Sequence, residues 1–134
     1  MQHIQMWGWS QQPGCIPLSR KLLRKWLAKV NADHYEENAV LCFTEVLTNA
    51  IRIPSPSGLT DTKWILCPDR LRIEVRDYST EAPYVSPTDL DAESGRGLLL
   101  VHLLADKWGY DHCRFLDGKG GYVPGKTVWF ELYQ

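Results

Sequence analysis

The 134-residue chain is predicted to fold as α+β: a two-layer α/β sandwich, with a mixed, mostly antiparallel sheet carrying helices on one face. Three observations predict this. Apolar residues recur at helical spacing in the first half of the chain, short runs read as strands, and those strands come in pairs joined by turns instead of crossover helices. The length suits one domain and is too short for two ordinary ones.

In order, Ser19 is expected to cap a first helix running to about Val30, with Leu22, Leu23, Trp26, Leu27 and Val30 as its apolar stripe. A second helix is expected over Glu36 to Ile53, with Val40, Phe43, Leu47, Ala50 and Ile51 on one face and Pro54 and Pro56 as its stop. Strands follow at Lys63 to Cys67 and Arg70 to Arg76, turned by Pro68-Asp69. The segment from Asp77 to Ser94 is rich in Pro, Asp and Glu and has no periodicity, the mark of a functional or disordered loop. A third helix is expected from near Gly97 to about Asp106, so rich in leucine that it should be deeply buried. His112 to Leu116 and Thr127 to Leu132 read as two further strands joined by a Gly-rich connection. The first fourteen residues, with Trp7 and Trp9, suit either an edge strand or a partner contact.

Composition narrows the function classes. A net charge of −1 gives no general attraction to nucleic acid or anionic membrane. Arg20, Lys21, Arg24, Lys25 and Lys29 cluster locally, as a solvated helix face or a docking face. Cys15, Cys42, Cys67 and Cys113 lack the close spacing of zinc or redox motifs and are expected to be buried free thiols. No secretory segment opens the chain, and the apolar run Leu98 to Leu104 is too short to span a bilayer, so a cytoplasmic location without membrane contact is expected.

Gly120 to Thr127 formally matches a phosphate-binding P-loop. That loop works because a helix follows it and its N–H groups cradle phosphate. Here Val128, Trp129, Phe130, Glu131 and Leu132 alternate as a strand, and Pro124 removes one donor, so the reading fails.

Three other features point to chemistry. Glu45 and Asn49 stand one helical turn apart on one face: a carboxylate able to orient or deprotonate a nucleophile, and an amide oxygen able to ligate Mg²⁺. The alternative is an exposed polar pair. Asp77 ends an alternating strand and either accepts from the exocyclic amine of adenine or forms a turn. Glu93-Ser94-Gly95-Arg96-Gly97 precedes the leucine-rich helix, where close backbone approach, a helix N-terminus and a guanidinium suit phosphate. The alternative there is a hinge ahead of a core helix.

In this order, Phe43-Thr44-Glu45-Val46-Leu47-Thr48-Asn49-Ala50, Asp77-Tyr78-Ser79, Ser94-Gly95-Arg96-Gly97-Leu98-Leu99-Leu100-Val101 and Gly125-Lys126-Thr127-Val128-Trp129-Phe130-Glu131-Leu132 resemble the N box, the two glycine boxes and the closing strand of the GHKL superfamily, which includes DNA gyrase and the histidine kinases. The likeness runs from about Pro17 to Leu132 and is nearest to the bacterial anti-sigma-factor serine kinases and their small stand-alone relatives. It implies a Bergerat-type domain over residues 1–134, with residues 1–14 unmatched and residues 77–94 as an ATP lid. It also implies ATP and Mg²⁺ as cofactors: Asn49 on the metal, Glu45 as base, Asp77 on adenine with Ser79 beside it, Gly95, Arg96, Gly97 and Leu98 around the phosphates, and Thr127 supporting the adenine contact. Lys126 receives no role. Ile53 stands where members often carry His. Two activities follow: a serine/threonine protein kinase acting on a protein antagonist and binding a sigma factor, or a catalytically weak or inactive ATP-binding switch that regulates a protein partner by binding. Homodimerisation is implied by the likeness alone.

Overall fold

The computed structural model describes residues 2–83 and 93–134, and for residues 93–97 the backbone only. The described elements are β1 (His3–Ser10), α1 (Cys15–Lys29), a 3₁₀ turn (Asp33–Tyr35), α2 (Glu36–Ala50), β2 (Leu59–Leu66), β3 (Arg70–Asp77), α3 (Glu93–Leu104), β4 (Lys107–Leu116) and β5 (Tyr122–Tyr133). The sheet runs β1-β2-β3-β5-β4, and every neighbouring pair is antiparallel. The helices cover one face, which makes the fold a two-layer α+β sandwich.

Several boundaries differ from the sequence reading. Helix α1 begins at Cys15, four residues before Ser19, because Pro17 sits in the first turn, where its missing N–H has no helical partner to lose. Ser19 is no cap; it is buried, and its hydroxyl donates to the Ile16 carbonyl at 2.7 Å. The other end closes through Asn31, whose φ of 59° is left-handed. There the Asn31 and Ala32 N–H groups donate to the Ala28 and Leu27 carbonyls. The first strand of the central pair begins at Leu59, not Lys63, because it pairs along its length with β1, the edge strand formed by the N-terminal segment. The turn at Pro68-Asp69 closes as expected, with the Cys67 N–H on the Arg70 carbonyl at 2.8 Å.

The core lies between the sheet's covered face and α1 and α2. Trp64, from β2, is its centre: fully buried, with Trp26 and Phe43 rings at 5.6 Å and Trp9 at 6.3 Å. Trp9 donates its indole N–H to the Thr62 hydroxyl at 2.8 Å, which satisfies one polar group of this cluster. Of the basic residues on α1, Lys21, Arg24, Lys25 and Lys29 are exposed, while Arg20 turns inward and donates to the Thr44 hydroxyl of α2 at 3.0 Å.

Helix α3 is not deeply buried. Leu98 and Val101 face inward, but Leu103 is 67% exposed. A two-layer fold covers a helix from one side only, and α3 packs on α2 and the start of β4 with its outer side open. The four cysteines are free thiols, with Cys15 and Cys42 buried and Cys67 and Cys113 half-buried. Burial, with the nearby Glu45 charge adding to it, pushes the Cys42 thiol up to about 12, so it is inert as a nucleophile.

On the uncovered face, Glu131 is held by Arg72 at 2.9 Å and the Tyr133 hydroxyl at 3.2 Å, while the Arg72 guanidinium also lies 4.3 Å from the centre of the Trp129 ring. Burial acts to raise the Glu131 carboxyl, but these donors and Arg70 outweigh it and hold it below the ordinary carboxylate range. Its contribution to stability is therefore present above the unfolded value of about 4.3 and lost as pH falls through the lower folded value. Glu131→Gln should flatten the acid side of the profile: between about pH 7 and about pH 3, the wild-type urea midpoint should fall further than the variant's.

Candidate functional site

Four of the sequence-designated residues meet in one place. Asn49 at the end of α2, Asp77 at the end of β3, Ser79 just beyond it and Leu98 on α3 all line a single cleft of about 270 Å³. Its apolar wall comes from Val46, Ile53, Leu98 and Val128, and the chain passes its mouth at Ala82 and Pro83 before leaving the described residues.

Each element is set locally. Helix α2 ends at Ala50, three residues before Ile53, and the chain turns instead, with the Ile53 N–H on the Ala50 carbonyl at 3.1 Å. Gln11, from the β1–α1 connection, fixes this turn. Its amide donates to the Ile53 carbonyl at 2.7 Å and accepts from the Ser55 N–H at 3.1 Å. Arg52 and Ile53 are thereby held at the rim, and nothing in the sequence pattern marks Gln11 for that task. Asp77 is buried, and its Oδ1 accepts from the Ser79 N–H at 2.9 Å. The Ser79 hydroxyl in turn accepts from the Glu81 N–H at 3.1 Å, so two side-chain-closed turns lead the chain out of β3 along the cleft.

The partner of Asp77 is Lys126. Its Nζ donates to Asp77 Oδ1 at 2.9 Å, both side chains line the cleft, and each residue is only 5% exposed. Strand alternation explains the choice: Val128, Lys126 and Asp77 share the covered face, and Thr127 lies on the other. Thr127 contacts Cys113, with Oγ1 and Sγ 3.6 Å apart, and does not line the cleft. Glu45, one turn before Asn49, is half-buried and also lies outside the cleft lining. Gly95, Arg96 and Gly97 fall inside the first turns of α3 and not before it, because the helix begins at Glu93. The Arg96 side chain and residues 84–92, the greater part of the expected lid, lie outside the described residues. Gly120 to Thr127 runs from a turn into β5, with no helix after it.

One position before Lys126 on β5, at Gly125, there is no room for a side chain. A Cβ on Gly125 would overlap the Asp77 carbonyl oxygen and the Phe115 ring.

The donor set suits a nucleotide. A flat base needs apolar walls and a few fixed polar groups, and here Val46, Ile53, Leu98 and Val128 line the cleft together with Asp77. A metal carried on phosphates keeps several waters and needs few protein oxygens, and the Asn49 carboxamide offers one.

Comparison with protein families agrees: residues 10–128 match the histidine kinase-like ATPase domain. The chain belongs to that family, whose domains bind ATP. No curated protein matches the chain. Among the described residues, no helix is long and apolar enough to cross a membrane.

Proposed function

We propose that this chain is a cytoplasmic ATP-binding regulatory protein, a serine/threonine protein kinase of the anti-sigma-factor type acting on a protein antagonist. The observation that supports the nucleotide is the convergence of Asn49, Asp77 and Leu98, from three separate elements, on one cleft. Asp77 would accept from the exocyclic amine of the base, Leu98 and Val128 would pack against it, and the Asn49 amide oxygen would help hold the Mg²⁺ carried on the phosphates. Bound Mg²⁺ would neutralise phosphate charge, as in other phosphoryl-transfer sites. Glu45 accepts the proton of the attacking serine hydroxyl.

One observation favours a second activity, an ATP-holding switch, catalytically weak or inactive, that regulates its partner by binding: Glu45, the base the kinase would use, is not among the residues that line the cleft. A sigma factor and its antagonist are the partners proposed for either activity, with homodimerisation on family likeness.

Titration calorimetry with Mg-ATP and Mg-GTP tests the nucleotide. ATP should bind in preference to GTP, and Asn49→Ala should weaken ATP at least about tenfold. Absence of binding, or binding untouched by Asn49→Ala, removes both activities. Transfer of labelled γ-phosphate to an antagonist protein, abolished by Glu45→Ala with ATP affinity unchanged, supports the kinase; binding without transfer supports the switch.

A further inference from the structure

Buried charges are costly, and the cleft contains two that touch. Asp77 and Lys126 are register partners on β3 and β5, so their separation is set by the ladder itself. Both described hydrogen bonds of Asp77, from the Ser79 N–H and Lys126 Nζ, fall on Oδ1. Oδ2 is thus the oxygen left to accept from a ligand. The ammonium carries three N–H donors, of which Asp77 takes one. The cleft therefore presents an acceptor beside a donor. Adenine presents the complement: an exocyclic amine, which donates, beside a ring nitrogen, which accepts. If the pair only fastened β3 to β5, an apolar pair would do so without the desolvation cost. Its placement on the cleft wall favours a reading task.

We infer that Lys126 is a specificity-determining residue of the base pocket, donating from Nζ to the ring nitrogen beside the amine while Asp77 accepts from the amine. This rests on the ATP reading above.

The test compares Mg-ATP with the analogue in which that ring nitrogen is replaced by C–H, by calorimetric titration of the whole chain. Wild type should bind the analogue about tenfold more weakly, the loss expected of one charge-assisted hydrogen bond. Lys126→Met, checked for folding by circular dichroism, should bind the two alike. Equal binding of both nucleotides by wild type overturns the inference and leaves the ATP site standing. Failure of wild type to bind either removes the ATP site itself, and Lys126's task with it. A folded Lys126→Met that still favours ATP over the analogue overturns the inference too, and where that variant does not fold, equal binding of both nucleotides by wild type still overturns it.

Discussion

Trp64→Ala should lower stability by about 3–5 kcal/mol, the range for deleting a large aromatic side chain from a packed core. Trp64 has no exposed surface and contacts rings from three other elements: Trp9 of β1, Trp26 of α1 and Phe43 of α2. Its removal opens a cavity that none of these rings can fill without leaving its own contacts, and interiors at native density relax only in part. Urea denaturation measures the effect. Trp64→Phe should cost less, because a ring remains at the centre. A loss below about 1 kcal/mol for Trp64→Ala would place the organising core elsewhere.

Asp77→Ala should be the most damaging single change in the cleft, at about 3–5 kcal/mol, because it leaves the Lys126 ammonium buried without its partner. The diagnostic is the cycle, not the single value. Asp77→Ala with Lys126→Met removes both charges and should recover a large part of the loss, since an apolar pair has no desolvation to offset. Urea midpoints of the wild type, both single variants and the double variant supply the four corners. Additive losses would show that the two charges do not depend on one another. Both Asp77 variants should lose nucleotide binding, whatever their stability.

Much of this was legible in sequence, and the misses share physical causes. The alternation of Leu71, Ile73 and Val75 placed β3 and hence Asp77, and helical spacing placed Glu45 and Asn49 on α2. The failed P-loop match followed from the alternating residues after Thr127. Helix starts were harder. Ser19 read as a cap, and Gly95 and Gly97 as a turn or hinge ahead of the helix, yet the first turn of α1 tolerates Pro17, and α3 runs through both glycines. Leu103 looked buried because a run of leucines carries no information on how many neighbours surround a helix. Lys126 and Thr127 were the most difficult pair. Which of two adjacent residues faces the cleft depends on strand register, and register is a pairing between segments far apart in sequence.

That dependence gives Gly125 a consequence beyond its own position. Side chains on β5 alternate, so sliding the strand by one residue would exchange lysine for threonine in the cleft and turn Val128 outward. A residue larger than glycine at this crossing would have to push the strand off Asp77, and Gly125 permits the close seating that fixes the alignment. The identity of the group facing a ligand is thus guarded by a residue that offers no chemistry of its own. Substitutions at Gly125 should therefore change which ligand the cleft accepts before they unfold the sheet.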